Sequence, residues 1–393
     1  MTSITIWAAT TNSCGGPFFF GSNNAEGDAL MNVESYIRSY LEKYQPYKTY
    51  WNYEDGCILM GCQLLYEATG SLHYRDFVLQ YLDSRVGQDG SIPNFLTSEY
   101  NTDDLNLSKL LFFAYRETGE ARYRKALDFS AERLENHPRC QCGSFWHKTI
   151  YPNQIWLDGL YMVQPFYMEY DTAFGRKEHY RDILLQFQNA RALLFNEEKG
   201  LAYHGYDESR VQPWADPATG QSKNFWLRAL GWYAMALVDT ISLCDPQIYE
   251  VYAALKGDFK ALVKGLLRYQ DEGSRLFYQV VDYPQAQGNY LETSGSAMVA
   301  YAILKGCRLG LLSQERYGAQ GREIVEALIA QKLQEEGGVP QLTGICAVAG
   351  LGPGDRRDGS VAYYLSEKIV SDDAKGVGPF LMAYAQYLMT DPE

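Results

Sequence analysis

The chain has 393 residues, 46% of them hydrophobic and 21% charged, enough to bury a sizeable core. A formal net charge of −13 weighs against nucleic acid or an anionic membrane as partner, since both need a basic face. No stretch approaches the ~20 apolar residues of a membrane span, and MTSITIWAATTNSC shows no basic region followed by a sustained apolar run.

Eight cysteines are scattered along the chain, none in a CxxC pair, and the Cys140-Gln-Cys142 doublet has no matching second pair. That spacing predicts reduced thiols in a cytoplasmic protein without a structural zinc. None of the five histidines stands in a metal-ligand spacing. The 32 Tyr and 7 Trp suit ring stacking on a sugar, and equally a core of tightly packed helices.

Residues 1–30 read as an irregular N-terminal arm. From Asn32 the pattern turns helical, with Val33, Tyr36, Ile37, Tyr40, Leu41 and Tyr44 on one face of VESYIRSYLEKY. A repeated unit follows. An apolar helix over 51–70 leads to an amphipathic one over 73–86; 102–119 leads to 121–134; 155–175 leads to 178–194. The first helices end at Gly70, Gly119 and Gly175, expected left-handed caps, and each second helix opens with a Tyr-Arg pair. Helices over 225–241, 249–270, 294–306, 315–333 and 376–389 continue the alternation less strictly. Strand-like segments are short: 200–206 and 274–282. About twelve helices in about six hairpins, apolar inside and charged outside, predict an all-α (α/α)6 barrel. No Pro- or Ser-rich linker divides the chain, so residues 1–393 are expected to form one catalytic domain.

In such a ring the segments entering the inner helices share one mouth. WNYEDG, YNTDD, YPNQIWLDG, KNFWLRALGW and LETSGSAM should therefore meet there. Asp158 is the notable acid, framed by Ile155, Trp156, Leu157, Leu160, Tyr161 and Met162. A carboxylate in that setting either caps a helix or has its acidity shifted for chemistry. Asp103 and Asp104 head the preceding inner helix, where an acid also satisfies the helix dipole. Paired acids on neighbouring elements are the usual requirement of glycosidic chemistry. Arg228 between Trp226 and Trp232 either pairs with a buried carboxylate or grips a substrate anion. His147 and His204 fall near the same rim.

WNYEDG, HPRCQCGSFWHKTIYPNQIWLDGLYM, AYHGYDES, FWLRALGW, ETSGSAM and DGSVAYYLSEKIVSDDAKGVGPF together resemble glycoside hydrolase family 105, from about Asn32 to the end. The family comprises unsaturated rhamnogalacturonyl hydrolases, related to unsaturated glucuronyl hydrolases. The resemblance implies the same (α/α)6 fold, Asp158 as catalytic acid/base and Asp103 as the second acid. It assigns His147, Trp156, His204, Trp226 and Arg228 to substrate binding. It implies a small acidic oligosaccharide as partner and no metal or other cofactor. The substrate's terminal uronic acid would carry a C4=C5 double bond, which Asp158 protonates before deprotonating the incoming water. Burial and the Asp103 charge are expected to keep Asp158 protonated. Arg228 or His204 would bind the uronate carboxylate or position the water. Glucuronyl hydrolysis of another lyase product, conventional inverting hydrolysis and a non-catalytic sugar-binding toroid stand as alternatives. A monomer or homodimer is expected.

Overall fold

The computed structural model describes residues 24–95, 99–352 and 354–390. The chain divides into two units, Met1–Lys43 and Tyr44–Glu393. In the first, helix α1 spans Asn24–Glu42. It starts earlier than expected, the helix formers Ala25, Glu26, Ala29, Leu30 and Met31 outnumbering Gly27 and Asp28 upstream of Val33. Residues 24–30 of the expected arm are thus helical, and residues 1–23 lie outside the described residues.

The second unit contains α2 (Tyr53–Thr69), α3 (Leu72–Asp83), α4 (Asp104–Ser108), α5 (Leu110–Thr118), α6 (Ala121–Glu135) and α7 (Leu157–Ala173). It continues with α8 (Tyr180–Leu194), α9 (Leu227–Leu243), α10 (Tyr249–Leu266), α11 (Thr293–Arg308), α12 (Ala319–Lys332), α13 (Val361–Ser366) and α14 (Ala374–Met389). Helix α2 packs on α4, α4 on α7, α7 on α9, α9 on α11, α11 on α14 and α14 back on α2. That closed circuit is the inner ring of an all-α (α/α)6 barrel. Helices α3, α6, α8, α10 and α12 back α2, α5, α7, α9 and α11 from outside.

Patterning decides which helix goes where. In α9 every residue from Leu227 to Ile241 is buried, as befits a helix enclosed on all sides. In α10 only one stripe is buried, including Val251, Leu255, Phe259, Leu262 and Leu266. The inner ring is tight: a Cβ added to Gly378 of α14 would lie 2.5 Å from the Cys57 backbone of α2.

Gly70 and Gly119 are left-handed caps, both at φ 69°, donating to Tyr66 O and Tyr115 O. Gly175 is not. Positive φ falls instead on Arg176 and Lys177, while a Cβ at Gly175 would lie 2.2 Å from Asp171 Oδ1. That glycine makes room for the Asp171 carboxylate, which accepts from His179 N at 2.8 Å. The expected single helix over 102–119 is broken between α4 and α5 at Lys109. Its buried ammonium reaches Asn106 Oδ1 at 2.9 Å and Tyr161 O at 2.6 Å.

Among the described residues, four two-stranded antiparallel sheets decorate the ring: β1 (Gln154–Trp156) with β4 (Gly205–Asp207), β2 (Phe195–Asn196) with β3 (Leu201–Ala202), β5 (Leu333–Glu336) with β6 (Val339–Leu342), and β7 (Ile345–Cys346) with β8 (Ile369–Val370). The strand expected over 200–206 is the β3–β4 segment. The one expected over 274–282 forms only single bridges, Trp226↔Val280 and Tyr278↔Leu291. It clasps the entry of α9 rather than joining a ladder. Among the described residues no helix is long and apolar enough to cross a membrane.

Candidate active site

The N-terminal ends of the inner helices open onto a cleft of ≈ 530 Å³. Asp103, His147, Trp156, Asp158, Trp226 and Arg228 line it. His204, fully buried, stands behind its wall. The structure thus gathers all seven sequence-derived residues around one mouth: five come from three of the five motifs, and His147 and His204 from outside them. WNYEDG adds Tyr53 to the lining, and LETSGSAM supplies Glu292, which meets Arg228.

Asp158 sits in the first turn of α7, immediately after β1. Pairing of β1 with β4 sets Trp156 opposite Gly205, and Leu157 N–H donates to His204 O at 3.1 Å. The same short ladder therefore fixes Asp158 and His204 together. His204 Nε2 lies 3.3 Å from Asp158 Oδ2. Distance alone would suggest a bond, but the angles do not complete one, and neither buried atom has a hydrogen-bond partner among the described residues. The other ring nitrogen, Nδ1, is 2.8 Å from Tyr364 OH. Gly159 brings His147 close: a Cβ there would lie 3.1 Å from His147 Nδ1.

The two acids of YNTDD are sorted by direction. Asp103 precedes α4 without capping it and faces the cleft, with Lys148 Nζ at 2.5 Å and His147 Nε2 at 3.9 Å. Asp104 faces α6, 3.3 Å from Arg133. Burial pushes Asp104 up to about 6, against the pull of Arg133. Burial, and then the Lys148 charge, hold His147 well below its ordinary range, so it is a neutral imidazole. Its Nδ1 meets Thr102 Oγ1 at 3.0 Å. Lys148 stays a cation: burial opposes its charge, and Asp103 outweighs that.

Aromatic rings form the walls. Trp156 stacks on His147 at 4.4 Å and on Tyr151 at 4.8 Å. Trp226, donating to Gln279 Oε1 at 3.2 Å, stacks with Tyr364 at 5.9 Å and packs on His204 at 4.7 Å. Arg228 resolves the choice left open by sequence. It pairs with Glu292 at 3.6 Å, donates to Ser294 Oγ at 2.7 Å and also to Cys346 O.

Sequence reasoning passed over Lys148, Arg357 and Lys375, which line the cleft, and Tyr364 behind it. Lys148 adjoins His147 in the WHK block, and Tyr364 and Lys375 lie in the late DGSVAYYLSEKIVSDDAKGVGPF motif, so the signal was adjacency. Arg357 stood in an unremarkable DRRD turn. Lys148, Arg228, Arg357 and Lys375 against Asp103 and Asp158 leave the cleft lining two charges positive, in a chain of net charge −13. A larger cavity of ≈ 720 Å³ at the C-terminal ends of the inner helices collects none of the motif residues named above. Four of its charges pair with one another, Arg116 with Glu169 at 2.6 Å and Lys305 with Asp239 at 2.8 Å.

A carboxylate with an unbonded oxygen, stacked aromatic walls and surplus cations, set in a helical toroid, define a carbohydrate-processing site. The profile of Glycosyl Hydrolase Family 88 matches residues 31–391, and the chain belongs to that family. It is 43% identical to the Clostridium (C. acetobutylicum ATCC 824) glycoside hydrolase from family 105, with TM-score 0.85 over 91% of this chain and 98% of that one. It is also 48% identical over 234 residues to Protein Atu3128 of Agrobacterium fabrum, 58% of this chain and 99% of that protein. Identity to unsaturated rhamnogalacturonyl hydrolase YesR of Bacillus subtilis is 26% over 265 residues, 66% of this chain and 72% of that enzyme. The chain is thus a glycoside hydrolase, and the family implied by its motifs holds.

Proposed function

We propose that this protein removes a terminal 4,5-unsaturated galacturonate from rhamnogalacturonan-derived oligosaccharides by hydrating the C4=C5 double bond. The observation that carries the reading is Asp158 Oδ2, buried beside the cleft without a hydrogen-bond donor. That oxygen is committed to no donor, so the carboxyl is available for proton transfer at the cleft. The likeness to YesR supports the choice of sugar.

The double bond is an enol ether. Protonated Asp158 gives its proton to C4, the π electrons form the new C–H bond, and positive charge develops at C5 and the ring oxygen. Water adds at C5 and returns a proton to Asp158. The resulting hemiketal opens to a C5 ketone, freeing a C1 hemiacetal that expels the rest of the sugar as an alcohol. His204, locked by Tyr364 and next to Asp158, orients the carboxylate and the incoming water. Asp103, held by Lys148, accepts from the sugar hydroxyls. Trp156 and His147 on one side, and Trp226 on the other, stack on the ring.

The uronate carboxylate falls to Arg357 in this reading. Arg228 is committed to Glu292, Lys148 to Asp103 and Lys375 to Asp373 at 2.9 Å. Among the described residues no carboxylate pairs with Arg357, whose Nη1 lies 3.2 Å from the Cβ position of Gly350 at the cleft wall. The same reading takes the chain as a single catalytic domain acting in the cytoplasm on small acidic oligosaccharides, as a monomer or homodimer.

Turnover of unsaturated galacturonyl-rhamnose, an unsaturated glucuronyl disaccharide and a saturated galacturonide tests it. Preference for the first supports the proposal. Preference for the second moves the assignment to another lyase product, and turnover of the third favours conventional inverting hydrolysis.

A further inference from the structure

Away from the cleft, three metal-ligand groups converge. Cys140 Sγ, Cys142 Sγ and a carboxylate oxygen of Glu208 all lie within 4.8 Å of one another. The two thiols are brought together by a tight turn. Gly143, at φ 91°, donates to Cys140 O at 2.9 Å, and Cys140 N–H donates to Ser144 O at 2.8 Å. Asn189 Nδ2 braces the turn through Cys142 O and Ser144 Oγ, both at 2.9 Å. Glu208 arrives from the other side, directly after β4. Its oxygens accept Gln141 N–H at 2.8 Å and Cys142 N–H at 3.3 Å, and its own N–H donates to Asn153 O at 2.9 Å.

Those two backbone bonds fix the carboxylate but leave it lone pairs, since an ionised carboxylate has about four acceptor sites. Cys140 is buried, whereas Cys142 and Glu208 are half-buried, so the trio is rooted in the fold and open on one side. A merely structural Glu208 would cap the turn equally well, but that role needs neither thiol. We propose that Cys140, Cys142 and Glu208 form a binding site for one thiophilic divalent cation of the Zn2+ type, with solvent as fourth ligand. Two sulfur donors and one carboxylate suit a borderline-soft, tetrahedral ion better than Mg2+ or Ca2+, which take oxygen shells. On binding, each ligating thiol loses its proton to solvent.

The site's place in the fold gives it a task. The Cys140 turn runs on to His147 and Lys148, and Glu208 directly follows the strand that begins just after His204. A cation there would clamp the two segments that deliver His147 and Lys148 to the cleft and His204 to the position behind its wall. Sequence spacing alone left the doublet unmatched because its third ligand lies 66 residues beyond Cys142.

The test is a titration of metal-stripped full-length protein with Zn2+ against a chromophoric chelator, repeated with Cd2+ to read the ultraviolet thiolate charge-transfer band. Wild type should bind one ion per chain with a two-thiolate band. Cys142→Ser should leave roughly half the band, and Glu208→Gln should weaken binding by roughly tenfold or more. The Cys140→Ser/Cys142→Ser double variant should lose site and band. Wild-type-like binding by that double variant overturns the proposal. Should it fail to fold, Cys142→Ser at the half-buried thiol decides by the same readout, an unchanged band and affinity counting against the site.

Discussion

Glu292→Gln is the perturbation whose cost the structure sets most clearly. Glu292 is 0% exposed and Arg228 is 1% exposed, 3.6 Å apart. The carboxylate also accepts Ser294 N–H at 3.1 Å, Gly295 N–H at 2.7 Å and Cys346 N–H at 3.0 Å. Breaking a buried ion pair by neutralising one partner costs about 3–5 kcal/mol, because the other charge is left uncompensated. Glutamine keeps one acceptor oxygen, so at least one backbone donor loses its partner, adding about 1 kcal/mol. A loss of about 4–5 kcal/mol is a large part of the ~5–15 kcal/mol of a whole protein. At about 2 °C per kcal/mol for a chain of this size, Tm should fall by roughly 8–10 °C. Arg228→Met alone should be similarly damaging, since it strands Glu292. The double variant removes both charges and should be no worse than either single change, giving a coupling energy of at least about 4 kcal/mol in the cycle. Calorimetry and urea titration of the four proteins measure it. A Glu292→Gln melt within about 1 °C of wild type, or a double variant equal to the sum of the singles, would refute the buried-pair argument and return Arg228 to the role of a free anion grip.

Arg357→Gln should raise KM for an unsaturated uronide by tenfold or more, about 1.4 kcal/mol, with the melt unchanged; an unaltered KM removes Arg357 from carboxylate binding. Burial pushes His137 down to about 4 from an ordinary 6.5, while it holds Trp146 O at 2.8 Å. The unfolded chain then takes up the proton first as pH falls, so this contribution is complete above pH 6.5 and is lost toward pH 4. It amounts to about 3 kcal/mol, and a His137→Asn variant should show a flatter urea-midpoint profile across that window. Parallel profiles would contradict it. Burial likewise lowers Lys109 to about 7. The folded state sheds that proton before the unfolded chain does, so stability should rise from about pH 7 toward 10. Lys109→Met should abolish that rise in urea midpoints; an identical slope in both proteins is the contrary result.

The ring was readable because its information is local. Alternating apolar and amphipathic helices, with Gly70 and Gly119 as punctuation, state inner and outer layers directly. Asp158 was readable for the same reason, as an acid inside an apolar run. What sequence hid is non-local. Arg228 left two roles open because its partner Glu292 caps another inner helix. Tyr364 meets His204 only when the chain's last quarter folds back across the mouth. Asp103 and Asp104 are adjacent and chemically identical, and only the directions of Lys148 and Arg133 separate them. Gly175 had the spacing of a cap but serves the Asp171 carboxylate. Apart from the β3–β4 segment, the short strands escaped for want of length, since two- to four-residue ladders leave little readable alternation.

The central claim is that Asp158 performs both proton transfers. Its most direct test is the rate at which Asp158→Asn consumes the conjugated-alkene absorbance of unsaturated galacturonyl-rhamnose, in a variant whose melt matches wild type. The account predicts a loss of roughly 10²–10⁴-fold, the usual worth of a general acid–base group. Alkene consumption at the wild-type rate by that folded variant would contradict it.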